Sequence, residues 1–136
     1  MGRPLVLPLR GEVDISVATA LRSGWYALAE QERIAEIVVD VADVTFLDAS
    51  GLGLLVGTKN RQQRHGGHLR LCNAPPSVLT LLRLTGLVAL FPDADQPCPQ
   101  LAHVVDVRNS AGVATMSRGR SAMRSSPARG LDPRAR

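Results

Sequence analysis

Aromatic side chains are scarce in this chain: one Trp, one Tyr and two Phe in 136 residues. Its core must therefore be built mainly from Leu, Val, Ile and Ala. Long apolar runs are missing as well. None approaches the roughly 20 residues that span a bilayer, so membrane insertion is not expected. The opening Met1-Gly2-Arg3-Pro4-Leu5-Val6-Leu7-Pro8 is too short and proline-broken for a signal peptide. Val6 stands where a myristoylation signal wants Ser or Thr. A cytoplasmic protein is the expectation. There are only two cysteines, which make no disulfide framework. Cys72, in the alternation Leu69-Arg70-Leu71-Cys72, reads as a small buried hydrophobe, and Cys98, between two prolines, as a loop thiol.

Recognisable catalytic and cofactor motifs are absent too. Neither a Gly-x-x-x-x-Gly-Lys-Ser/Thr nor a Gly-x-Gly-x-x-Gly phosphate loop occurs. A hydrolase elbow needs Gly-x-Ser-x-Gly, whereas residues 48 to 52 read Asp-Ala-Ser-Gly-Leu. His65 and His68 flank Gly66-Gly67, and a His-x-x-His metal site would need a helix that this turn forbids. No catalytic residue, cofactor or metal ligand is expected.

What the chain does have is the composition of a soluble globular domain, 45% hydrophobic and 21% charged. Its net charge of +4 is unevenly spread. Residues 1–100 carry nine basic and ten acidic side chains, and residues 101–136 carry seven and two. The basicity thus belongs to the tail. From Arg108 on, large apolar groups are few, and burial cannot offset the entropy of ordering. Residues 1–107 are expected to form one domain and 108–136 a disordered Arg/Ser/Ala-rich tail. The tail lacks the interleaved aromatics and folded platform of a nucleic-acid site, so a solvated tail without direct nucleic-acid contact is expected.

Residues 5 to 13 alternate as a strand, and Pro8, which has no N–H to donate, makes it an edge or bulged one. Asp14-Ile15-Ser16 reads as a turn, with Asp14 available to cap the helix that follows. Over 17–32 the residues Ala18, Leu21, Trp25 and Leu28 share a helix face. Ile37, Val38 and Val39 have the composition of a strand buried on both faces. A helix is expected from about Gly51 to His65, stopped by Gly66-Gly67, with Gly53 and Gly57 either allowing close approach to the sheet or simply weakening the helix. A strand follows at 68–72, then a helix introduced by Pro75-Pro76 and ended by Gly86. Leu87 to Phe91 reads as a short last strand, and 101–107 as a further strand or short helix. Alternating strands and helices imply an α/β fold with a mostly parallel sheet.

The turn Asp48-Ala49-Ser50-Gly51 joins strand to helix, and a helix start presents unpaired N–H groups and a positive dipole end. Ser50 is therefore either an N-cap worth about 1 kcal/mol or a phosphorylatable hydroxyl, and the two roles are compatible. Asp48 either fixes the turn by an Asx-type bond or positions a phosphoryl donor. Gly51 is read as a requirement of backbone geometry, and Leu52 as core or as a partner contact.

Two segments, Leu9-Arg10-Gly11-Glu12-Val13-Asp14 and Val44 to Gly53, resemble the signatures of the STAS domain. Asn73-Ala74-Pro75-Pro76 with Leu82 to Leu87 resembles that family's third helix, so the likeness covers roughly residues 5 to 95. The resemblance implies a four- or five-stranded, mostly parallel or mixed sheet flanked by helices, no active site, and one regulatory Ser or Thr. That position falls on Ser50, with Asp14, Asp48, Gly51 and Leu52 on the partner-binding surface. In stand-alone members an anti-sigma factor with serine kinase activity is the partner, and a phosphatase resets the cycle. The implied role is that of an anti-sigma factor antagonist; a non-switching subunit docked on a membrane transporter or another complex is the alternative. Two departures stand out. The chain begins almost at the Gly11-Glu12-Val13-Asp14 segment, where the family usually has an extra strand before it, so either a bare sheet edge or a misassigned start is expected. Ala49 stands at a position that is often Ser or Thr. Sequence alone leaves the oligomeric state open.

Overall fold

Leu5–Val13 forms strand β1 and Glu36–Leu47 forms β2, paired in parallel along almost their whole length. His68–Cys72 forms β3, and the two-residue β4 is His103–Val104. The resulting four-stranded sheet has the order β3-β2-β1-β4, with every pairing parallel. Helices α1 (Ile15–Ala29) and α2 (Ala49–Arg64) are the crossovers between successive strands, and α3 (Pro76–Leu84) follows β3. This computed structural model describes residues 4–99 and 103–104. The tail expected at 108–136 lies outside the described residues.

Strand alternation divides the sheet into two faces. Leu7, Ile37, Val39, Leu69 and Leu71 are buried in one cluster with Trp25 of α1, Leu55 of α2 and Leu82 of α3. Val6, Val38 and Cys72 form a second, smaller cluster, against which Cys98 packs. Beside it Arg70 on β3 pairs with Glu36 on β2 at 2.7 Å. The helices are pinned to one another as well. The Arg61 guanidinium lies 3.6 Å from the centroid of the Tyr26 ring and 3.5 Å from the Glu30 carboxylate. Buried Gln62 donates to the carbonyl of Ile34 at 2.8 Å, tying the end of α2 to the connection before β2.

Of the two alternatives for Pro8 the structure shows the bulge, since the β1–β2 register shifts between Pro8 and Arg10. β1 is not an edge strand, because it lies between β2 and β4 and, among the described residues, pairs with β4 at Leu5 and Val6. The edge of β1 is therefore not wholly bare, because β4 covers its beginning. Residues 15 and 16 belong to α1, which starts two residues earlier than the apolar pattern indicated. Leu87 to Phe91 is not a strand. Val88–Leu90 forms a 3-10 helix, in which Leu90 N–H donates to Leu87 O at 2.9 Å and the following Phe91 N–H to Val88 O at 3.1 Å. Phe91 carries that run into the core, at 1% exposure, and half-buried Leu87 packs against the same cluster. Among the described residues the last strand is instead β4, within the 101–107 segment. Gly57 faces Tyr26 of α1 rather than the sheet, and nothing lies within 4 Å of a Cβ built at Gly53.

The cysteines also depart from expectation: Cys72 and Cys98 form a disulfide, with Cα atoms 5.0 Å apart. Asn73, at φ +58°, turns the chain at the end of β3. Its N–H donates to Gln96 O at 2.7 Å, and Ala74 N–H donates to Ala94 O at 2.8 Å. These bonds draw the returning segment against β3 and bring Cys98 to Cys72. Contacts of this kind join distant parts of the chain and leave no periodic trace in the sequence.

Candidate functional site

In β1 and β2, Val13 and Leu47 are register partners. The residue after each strand is an aspartate that caps a helix, so the N-termini of α1 and α2 emerge side by side from one end of the sheet. Asp14 Oδ1 accepts the N–H groups of Ser16 and Val17, both at 3.1 Å. Asp48 Oδ1 accepts those of Ser50 at 2.9 Å and Gly51 at 3.2 Å. The chain thus repeats an Asp-x-Ser turn at matched positions. Satisfying orphan donors with a carboxylate at the positive end of a helix is favourable on both counts.

The two turns differ in their hydroxyls. Ser16 is exposed, and its Oγ donates to Asp14 Oδ1 at 2.8 Å. Ser50 is half-buried, and among the described residues nothing bonds its hydroxyl. The N-cap of α2 is Asp48, so Ser50 does not fill the capping role open to it from sequence. It lies within the first turn instead, its N–H held and its hydroxyl available. Asp48 makes the Asx-type bond anticipated for it. At Asp14 the carboxyl is held below its ordinary 3.8, first by the Val17 N–H and then by the Ser16 hydroxyl, against a desolvation that acts the other way.

Gly51 is needed for packing. A Cβ there would collide with Leu47 Cδ1 and sit 3.0 Å from Val13 Cγ1 and 3.1 Å from Val13 O. The first turn of α2 therefore rests on the ends of both central strands, and its backbone φ is not in the left-handed region. Leu52 is 6% exposed and belongs to the core, so Gly51 and Leu52 form the floor beneath Asp48 and Ser50. Two apolar side chains flank this floor on the surface, Ile15 at 65% exposure and Phe46 at 50%. Sequence reading passed over both. Ile15 looked like part of a turn. Phe46, which pairs with Glu12 just past a register shift, escapes simple alternation.

Residues 2–102 match the pattern of the STAS domain. The chain belongs to the STAS domain family. Within it, this STAS chain is 37% identical over 79 residues to the anti-sigma-B factor antagonist of Bacillus subtilis (strain 168), a match covering 58% of this chain and 71% of the relative. Its fold is similar to that of the anti-sigma factor antagonist SpoIIAA in its unphosphorylated form, with a TM-score of 0.60 and 26% identity. That alignment covers 69% of this chain and 83% of the other. The phosphorylated form of SpoIIAA, a Bacillus cell fate determinant, aligns with a TM-score of 0.56 and 25% identity, covering 69% and 86%.

Asp40, Cys72 and Cys98 bring their ligand atoms within 4.8 Å of one another, a grouping otherwise suited to a metal ion. The disulfide joins its two sulfurs, so neither is a free thiolate ligand. His65 ends α2 and His68 begins β3 across a turn through Gly66 at φ +82°. Among the described residues, no helix is long and apolar enough to cross a membrane.

Proposed function

We propose that this protein is an anti-sigma factor antagonist, switched off by phosphorylation of Ser50. In its unphosphorylated form it binds an anti-sigma factor that is also a serine kinase, and so releases the sigma factor; a phosphatase resets it. The observation that carries the reading is the state of Ser50, whose hydroxyl is available while Asp48 holds its amide. Ser16, in the matching turn, already gives its hydroxyl to Asp14. The likeness to an anti-sigma-B factor antagonist, and to a fold solved in unphosphorylated and phosphorylated forms, supports the same role.

The switch is electrostatic. A phosphate adds about −1.5 to −2 charges, and on Ser50 it would stand beside the Asp48 carboxylate and near the Asp14 cap. The dipole of α2 favours a negative group there, which keeps the modified fold intact. A partner surface that packs on Ile15, Phe46 and the uncharged hydroxyl meets an unpaired, strongly hydrated charge instead. Gly51 and Leu52 serve the interface from below, by fixing the height and angle of the turn. Asp14 and Asp48 contribute its acidic rim. The role requires no cofactor and no catalysis by this chain.

The test is a kinase assay read by intact mass. Wild-type protein and the Ser50→Ala variant are incubated with ATP and anti-sigma kinases encoded in the same genome. The expected result is one phosphate on the wild type alone, with loss of kinase binding after modification. If no kinase modifies the wild type and Ser50→Ala binds every partner equally, the switch is wrong. A subunit that docks without switching would then replace it.

A further inference from the structure

We propose that the Cys72–Cys98 disulfide is a redox latch, which holds residues 95–99 against β3 and releases them on reduction. The inference is independent of the Ser50 switch. Cys72 is level with Asp40 of β2, well short of Leu47, where the strand hands over to the Ser50 turn.

Four observations carry it. The bond joins two parts of the chain separated by 26 residues, so it stabilises a returning segment rather than a local turn. The partners differ in access: Cys72 is fully buried in the cluster with Val6 and Val38, whereas Cys98 is half-buried. The segment has a firm root, because Phe91 and Ala94 are each 1% exposed in the main core. Beyond that root its hold on β3 is slight among the described residues, being Asn73 N–H to Gln96 O at 2.7 Å and Asn73 Nδ2 to Cys98 Sγ at 3.3 Å.

The chemistry follows from access. A glutathione thiolate attacks Cys98 Sγ, the reachable sulfur, and forms a mixed disulfide there. Cys72 leaves and takes up a proton in its apolar site. A second glutathione then attacks the mixed disulfide, giving oxidised glutathione and the Cys98 thiol. Two electrons and two protons have passed to the protein, and oxidised glutathione drives the reverse. In a reducing compartment, bonds of this kind are more often redox-sensing than permanent. With the bond open, residues 95–99 lose their covalent tie to β3, and among the described residues the Asn73 hydrogen bonds to Gln96 and Cys98 are what remains of that tie.

The experiment uses the full chain in glutathione buffers of graded redox ratio, with free thiols trapped by alkylation and counted by mass. Amide exchange is followed in parallel. The expected result is that both thiols appear together across the buffer range. On reduction, exchange at the Asn73 amide should rise by roughly tenfold, while the Ala74 amide, bonded to rooted Ala94, stays protected. Cys98→Ser should reproduce the reduced pattern in every buffer. Because the redox series is run on the wild type, a poorly folding variant would not obscure the answer. Thiols free even in oxidised glutathione would overturn the proposal. So would a bond that survives fully reduced glutathione, or an Asn73 amide indifferent to reduction.

Discussion

Asp14 and Asp48 cap neighbouring helices from matched positions, each following one member of the register pair Val13 and Leu47. Two parallel strands that end level with each other deliver two helix N-termini to one surface. The site is thus a consequence of strand register, and its rigidity rests on the caps. For Asp48→Ala, the loss of the bonds to Ser50 and Gly51 should cost about 1 kcal/mol in urea denaturation. Asp48→Asn, which keeps a capping oxygen, should lose a few tenths at most. Equal stability of all three proteins would show that the cap is redundant with packing.

Asp14 gives the protein an acid-sensitive element. Its folded carboxyl titrates below the ordinary 3.8, chiefly because the Val17 N–H and the Ser16 hydroxyl bond its charged form. A depressed carboxylate contributes stability that is present above the unfolded value and is lost as pH falls through the folded one. The relevant window therefore opens near 3.8 and extends below it. Thermal melts from about pH 5 to about pH 2.5 should show a shallower decline for Asp14→Asn than for wild type. Parallel declines would remove Asp14 from the account of acid stability.

Gly51 tests the packing beneath the switch. A methyl group added there meets Leu47 and Val13, both buried, and has nowhere to go. Gly51→Ala gains about 1 kcal/mol of helix propensity, but overpacking costs about 1–3 kcal/mol. A net loss of about 1 kcal/mol is expected. A stabilised Gly51→Ala protein, measured in the same denaturation assay, would mean that the floor yields.

Much of this was legible in the residues. Asp14 and Asp48 precede apolar periodicity in the way that caps do, and Ile37 to Val39 have the composition of residues covered on both faces, all three of which the structure buries completely. The misreadings have a common cause. Leu87 to Phe91 has strand composition, but a strand needs a neighbour, and here the Leu90 and Phe91 amides find their acceptors within the run while Leu87 bonds back to Leu82 of α3. Cys98 looked like a loop thiol because its partner lies 26 residues away. Gly51 was taken for a conformational glycine when it is a spatial one, since the atoms that exclude a side chain belong to Val13 and Leu47. Ser50 was open to a capping role because its neighbour Asp48 offers the same chemistry two residues earlier, and only geometry distinguishes them.

That distinction makes Ser50 the most informative position for substitution. Since Asp48 supplies the cap, Ser50→Ala should change folding stability by no more than about 0.5 kcal/mol, as for an ordinary surface residue. A true N-cap serine would cost about twice that. Ser50→Asp adds a negative charge in the first turn of α2, where the dipole tolerates it, so it too should fold normally. Its effect belongs at the interface. One carboxylate carries less charge than a phosphate, and a penalty of about 1.4 kcal/mol corresponds to tenfold weaker binding. Titration of the anti-sigma partner against each variant by calorimetry should therefore find Ser50→Ala within about twofold of wild type and Ser50→Asp weaker by about tenfold or more. The contrast requires both halves. If Ser50→Asp binds like wild type while folding normally, charge at this turn does not govern the partner, and the electrostatic switch fails however well Ser50 is phosphorylated.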